Sequence, residues 1–242
     1  MAIAYNAKIP HIKDALVFYD VKNPKCYSGS GETFSNLISS TTYTGGRRLG
    51  DANYYSISDG AINISATGSN TTTGAAVEGI GDLAETVNYD FTTSTWMYIT
   101  DFGNGADAFS YRRTSRRLSF AVNASSMYFN QREEVSPFTT NSTSVSVTNS
   151  LNEWACFSLV KSGNYWSFYK NGELVGVNSF TMSETIDDLG SDVHHIGITW
   201  TDDDYMSNSM SGKIGPAIHY TRALTANEIK ELFNAHRGRF GI

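Results

Sequence analysis

Cysteine, proline, long apolar runs and surplus positive charge are what this chain has least of. Two cysteines in 242 residues, Cys26 and Cys156, cannot build a disulfide framework, and they show neither C-x-x-C nor zinc-ligand spacing. Each sits beside an aromatic residue, Tyr27 and Phe157, where a thiol serves as a small buried hydrophobe. A bridge between the two stays open at this level. With four prolines there is no proline-rich linker, and no fixed-period repeat divides the chain. Residues 1–242 therefore read as one domain. No run approaches the roughly 18 apolar residues of a membrane span. Met1 to Pro10 lacks a charged segment followed by a long apolar one, so no secretory signal and no membrane partner are expected. The net charge of −6 forgoes the counterion release that drives nucleic-acid binding, so no nucleic-acid partner is expected either.

Signatures of catalysis are missing as well. Glycoside hydrolysis by retention needs two carboxyl groups on one face, about 5–5.5 Å apart. The acidic pairs Glu133-Glu134 and Asp187-Asp188 are adjacent in sequence, so on a strand their members point to opposite faces. The same alternation separates His194 from His195, and neither an H-E-x-x-H nor a G-x-S-x-G motif occurs. No glycine-rich loop matches a phosphate cradle. The chain reads as a non-enzyme. Four N-x-S/T sequons begin at Asn63, Asn70, Asn123 and Asn141, and chance explains them in a chain so rich in Asn, Ser and Thr.

What is present points to strands. Fourteen Tyr and 13 Phe, with many Thr and Val, favour half-buried pleated surfaces, and 21 Gly suit many turns. Ala15-Leu16-Val17-Phe18-Tyr19 is a short apolar strand closed by Asp20 and a loop carrying Asn23-Pro24. Tyr54 to Ile57, Ala61 to Ile64, Phe91 to Ile99, Leu118 to Val122 and Val145 to Val147 read as further strands. In Trp154 to Val177, Phe157, Leu159 and Lys161 share one side of a strand that turns at Ser162-Gly163-Asn164. Trp166 and Phe168 alternate with Ser167 and Tyr169 up to Asn171-Gly172, the pair that supplies the two positive φ angles of a type I′ hairpin. The period then changes. Thr225 and Glu228 form a capping box with Leu224 and Ile229 as its staple, and Ile229, Leu232 and Phe233 make a helical apolar stripe. Gly238 is placed to supply a left-handed stop, with Lys230, His236 and Arg237 near the negative end of the helix dipole. The architecture expected is all-β, an antiparallel sandwich with one short C-terminal helix.

Three passages carry a resemblance. The first runs from Leu16-Val17-Phe18-Tyr19-Asp20 through Asn23-Pro24-Lys25, Tyr27, Gly29-Ser30-Gly31 and Thr33, with Cys26 where Ser is usual and Phe34 where Trp is usual. The second is Trp154 with Phe168-Tyr169-Lys170-Asn171-Gly172, followed by His195-Ile196-Gly197. The third is Gly212-Lys213-Ile214, Ile218, Tyr220, Arg222-Ala223-Leu224-Thr225, Glu228-Ile229 and Phe233-Asn234-Ala235, closed by Arg237-Gly238-Arg239-Phe240-Gly241. Together they resemble the laminin-G-like, concanavalin A-like jelly-roll domains found in tailed-bacteriophage virion proteins.

The resemblance implies a structural protein on the particle exterior, a capsid decoration or head or tail appendage subunit, assembled in the host bacterial cytoplasm. Its partners would be other capsid or tail proteins and further copies of itself. The alternative it implies is an adhesin of a tail fibre or capsid fibre that binds host-surface glycans. No cofactor is required, but domains of this kind often hold Ca²⁺ on loop carboxylates and carbonyls. The candidates are Asp101, Asn104 and Asp107, and the run Asp202, Asp203 and Asp204. With Trp200 and Tyr205, that acidic run is also a candidate carbohydrate rim, an aromatic plate beside hydrogen-bonding acids. Arg112, Arg113, Arg116 and Arg117 read first as a solvated strand pair with its turn, and second as a docking patch for an acidic partner.

Overall fold

The hairpin code at Asn171-Gly172 is realised as expected: the two residues take φ of 53° and 77° and join two antiparallel strands. A side chain at Gly172 would also collide with Phe233 of the C-terminal helix, so glycine is required there twice over. Asp59-Gly60, with φ of 53° and 72°, closes a second hairpin in the same way.

The computed structural model describes residues 9–38, 44–48, 55–65, 74–78, 88–103, 105–113, 116–133, 140–182, 193–197, 199–202, 205–207 and 210–242. In chain order the strands are β1 (Ala15–Tyr19), β2 (Phe34–Ser35), β3 (Thr44–Arg48), β4 (Tyr55–Ser58), β5 (Ala61–Ile64) and β6 (Gly74–Glu78). They continue as β7 (Phe91–Asp101), β8 (Ala106–Arg113), β9 (Arg116–Val122), β10 (Ser126–Glu133), β11 (Thr140–Ser146) and β12 (Trp154–Ser162). The last are β13 (Tyr165–Lys170), β14 (Glu173–Ser179), β15 (Val193–Ile196), β16 (Thr199–Asp202), β17 (Tyr205–Ser207) and β18 (Ser211–Tyr220), before helix α1 (Ala226–Arg237).

Two antiparallel sheets form the body. The first has the order β14-β13-β12-β7-β18-β5-β4, with β1 also paired to β18; the second has the order β11-β10-β9-β8-β15-β6-β3-β2. Strands β16 and β17 form a separate ribbon. The main core lies between the sheets, where Phe91, Met97, Phe109, Phe120, Phe129, Phe157, Leu159, Trp166 and Phe168 interleave. Phe129 stacks on Trp166 at 4.2 Å. Lys161, buried, passes its ammonium 5.9 Å from the Trp166 ring to the Tyr89 carbonyl at 2.8 Å. A crevice lined by Val17, Thr93, Thr95, Ala108 and His219 is too narrow for water, so the interior offers no ligand chamber there.

Strand β12 is buried on both faces, and α1 is the reason. Phe157 and Leu159 enter the main core, while Val160 joins Phe18, Tyr169, Ile218, Ile229 and Leu232 in a second core outside the first sheet, beneath α1. The capping box holds the helix start: the Glu228 N–H donates to Thr225 Oγ1 at 3.3 Å, and the Thr225 N–H donates to Glu228 Oε2 at 2.8 Å. Arg222 grips both oxygens of Glu228 at 2.7 and 3.0 Å and Asp14 at 2.9 Å. That guanidinium holds the Glu228 carboxyl down at about 2, below its ordinary value of 4.5.

The other end of the helix departs from expectation. Gly238 is right-handed, with φ −62° and ψ −23°, and the left-handed residue is Gly241 at φ 74°. The chain winds on because its next side chains have buried partners. Arg239 pairs with Asp20 at 2.7 Å, and Phe240 stacks on Trp96 at 4.3 Å and lies tilted against Trp154 at 4.4 Å. His236 does not act as a dipole-facing cation either. It is buried beside Phe18, and burial lowers its pKa and favours the neutral ring. Both cysteines are free and buried, with thiols pushed up to about 11, mainly by desolvation.

Candidate binding face

The residues singled out from the sequence fall in three places. Trp200, Asp202 and Tyr205 lie on the β16–β17 ribbon, where Trp200 pairs with Met206 and Asp202 with Tyr205. Only the backbone is described at these positions, and Asp203 and Asp204 lie outside the described residues. Asp101 ends β7 on the surface, where its carboxylate accepts the Gly103 N–H at 2.9 Å. Asp107 lies within β8 and is buried, 2% exposed, and Asn104 lies outside the described residues. One carboxylate thus meets solvent while the other is enclosed. Among the described residues no group of three His, Cys, Asp or Glu side chains is placed to hold a metal ion. The arginines lie at the end of the β8–β9 hairpin. The register sets Arg112 opposite Arg117 and Arg113 opposite Arg116, and Arg117 also faces Arg132 of β10. Their backbones come together as the sequence suggests.

A different set of residues is assembled on the open part of the first sheet. Its pairings run without a break from Ser56 to Asn63, from Asn63 to Lys213, from Lys213 to Tyr98 and from Tyr98 to Trp154, across β4, β5, β18, β7 and β12. All five point away from the core, because their strand neighbours Tyr55, Ile62, Ile64, Ile214, Met97, Ile99 and Ala155 point into it. Four inter-strand steps give the row a length of about 19 Å. Gly212 lets β18 run close against β7 there: at φ 148° its missing side chain leaves room for the Tyr98 carbonyl.

The chemistry of the row is amphipathic. Trp154 is held by Phe240 on one side and tilts 58° to Tyr98, with ring centres 5.7 Å apart. Lys213 lays its ammonium 5.8 Å from the Tyr98 ring centre. Asn63 spends its amide N–H groups on Ser58 Oγ at 3.1 Å and on the Ala61 carbonyl at 3.3 Å, which leaves its side-chain oxygen as an acceptor. Among the described residues, the Tyr98 hydroxyl, the Trp154 indole N–H and the Lys213 ammonium have no hydrogen-bond or ion-pair partner. Two aromatic planes with unspent donors beside them can pack on the apolar face of a sugar ring and bond its hydroxyls. Strand alternation sets Tyr98 on the opposite face from Met97 and Ile99, and Trp154 on the opposite face from Ala155. It does not show which strands lie side by side, and that is what makes the row.

Comparison with known proteins gives the family. The family described as the Concanavalin A-like lectin/glucanases superfamily matches residues 67–230, more than half of the chain. No curated protein matches. Among solved structures, the binding domain of Botulinum neurotoxin DC in complex with rat synaptotagmin II aligns with a TM-score of 0.63 and 11% identity, over 92% of this chain and 52% of that one. The binding domain of Paraclostridial Mosquitocidal Protein 1 gives 0.64 and 18%, over 93% and 53%. The CBM40 of Ruminococcus gnavus IT-sialidase bound to alpha2,3 sialyllactose gives 0.55 and 15%, over 72% and 96%. The chain spans about half the length of the two toxin domains, and at these identities the likeness is one of fold.

Proposed function

The chain belongs to the concanavalin A-like lectin/glucanase superfamily, and from that premise we propose that it is a non-catalytic binding module on the exterior of a bacteriophage particle, where its open sheet face holds a host-surface glycan. One observation carries the glycan reading: the row Ser56, Asn63, Lys213, Tyr98 and Trp154 presents two aromatic planes and unspent polar groups on a rigid sheet. Domains of the same fold that are named for binding, one of them bound to a sialylated sugar, support the same reading. Placement on a virion is supported by the resemblance of residues 212–241 to the closing segment of phage virion domains. There the module sits among other capsid or tail proteins, as a decoration or a fibre tip.

The test is titration of the purified protein against bacterial surface polysaccharides, with Tyr98→Ala and Trp154→Ala beside the wild type. The wild type is expected to bind and each variant to lose about tenfold in affinity while keeping its circular dichroism and a cooperative melt. Equal binding by wild type and both variants overturns the assignment to this face. Immunogold labelling of purified particles tests the placement, and particles without label overturn it.

A further inference from the structure

The position of Lys213 says more about the ligand than that it is a sugar. On the registers of β18, Lys213 stands between Asn63 and Tyr98, one strand from Tyr98 and two strands from Trp154. A sugar ring resting on Tyr98 and Trp154 would therefore have the ammonium about 5–10 Å away along the row, within reach of a charged substituent on that ring or on the next. The lysine stem is half-buried, and its ammonium sits 5.8 Å from the Tyr98 ring centre, so the charge is held over the row.

Among the described residues that charge has no anion: Lys213 makes no salt bridge, and its row neighbours Ser56, Asn63, Tyr98 and Trp154 are all neutral. Of the other cations near the first sheet's outer face, Arg239 is tied to Asp20, Arg222 to Asp14 and Glu228, and Lys230 to Glu173, while Arg237 lies over the Phe233 ring at the helix end, away from the row. Of the acids near the row, Asp101 directs its carboxylate to the Gly103 N–H, and Glu153 lies beside Trp154 with its side chain exposed. In a chain with a net charge of −6, Lys213 thus stands in a neutral, aromatic, donor-rich strip with no anion beside it among the described residues. A charge-assisted hydrogen bond from such a group is about twice as strong as a neutral one, and it selects for a formal negative charge.

We propose that the row selects acidic saccharides: Lys213 takes the carboxylate, sulfate or phosphate of a sugar whose ring lies on Tyr98 and Trp154. This rests on the glycan reading above and narrows it to one ligand class. The Asn63 oxygen and the Tyr98 hydroxyl flank the ammonium and are free to engage neighbouring hydroxyls of the same unit.

The experiment pairs each acidic oligosaccharide with its own neutral parent: oligogalacturonate with its carboxyl-reduced form, and a sulfated galactan fragment with the desulfated one. The wild type is expected to bind the acidic member about tenfold more tightly, with the margin shrinking as NaCl rises. Lys213→Gln should remove the margin between the acidic and the neutral member, while Lys213→Arg should keep it. Equal wild-type affinity for acidic and neutral members overturns the acid selectivity and leaves the glycan reading standing. A margin that survives in Lys213→Gln overturns the assignment of the anion to Lys213 and likewise leaves the glycan reading standing. If neither member of any pair binds, the glycan reading falls and this inference falls with it.

Discussion

The outer face of the first sheet has two halves, and the same strands build both. Under α1 and the turn that follows it, the outward residues are apolar: Phe18, Trp96, Val160, Tyr169 and Ile218. The polar groups there are spent on one another. Ser158 donates to Ser94 at 2.8 Å, Cys156 sits 3.3 Å from that same Ser94 hydroxyl, and Thr92 accepts the Leu224 N–H at 2.9 Å. Beyond the reach of the helix, the outward residues become Ser56, Asn63, Lys213, Tyr98 and Trp154, and among the described residues the polar groups of the last three are unspent. A buried polar group must find a partner within the fold, whereas an exposed one can wait for a ligand. The boundary between the halves is Phe240, which stacks on covered Trp96 and packs tilted against half-exposed Trp154.

Substitutions should separate the halves by size of effect. The largest belongs to the covered half. Arg239→Ala strands Asp20, whose side chain is 5% exposed, and should cost about 3–5 kcal/mol in urea unfolding. A loss below about 1 kcal/mol would mean that the turn after α1 is not fastened by this pair. The helix cap comes next. Thr225→Ala should cost about 1 kcal/mol. Acid should act on the same end. Because the folded-state pKa of Glu228 is lowered, its contribution is complete above the ordinary 4.5 and is lost as pH falls through about 2. Melting temperatures of the wild type should therefore fall more steeply over that window than those of Glu228→Gln, and parallel slopes would sink the assignment. The smallest effect belongs to the open half, where Ser56→Ala should change stability by less than about 0.5 kcal/mol. A larger change there would mean that the open half is held by something other than the core beneath it.

Local chemistry made much of this fold legible in advance. The Asn171-Gly172 hairpin, the Thr225–Glu228 box and the stripe Ile229, Leu232 and Phe233 each depend on residues within a few positions of one another. The Asp59-Gly60 turn carried the same signal between two segments already read as strands. Gly238 was misleading because the glycine rule looks only at the helix, while the chain's course there is set by Asp20 and Trp96, distant in sequence. His236 was misread for a similar reason: its burial comes from packing beside Phe18, not from its place on the helix. The binding row was the least legible. Asn63 meets Lys213 across 150 positions, and Tyr98 meets Trp154 across 56. No propensity or turn rule in either segment fixes such a pairing.

The central place of β18 also governs the order in which the sheet can come into being. It lies between β7 on one side and β5 and β1 on the other, so three strands made earlier have it as a neighbour. During synthesis β1 and β5 must remain without that partner until residues 211–220 leave the ribosome. Pairings this distant place the domain among slow, high-contact-order folders, whose unpaired strand edges are open to wrong partners while they wait. The segment Asn36 to Ile38 is made early and bonds along β1, with the Asn36 side chain taking the Phe18 N–H and reaching the Leu16 carbonyl. It can shield one edge of the first strand from aggregation while the nascent chain is still incomplete.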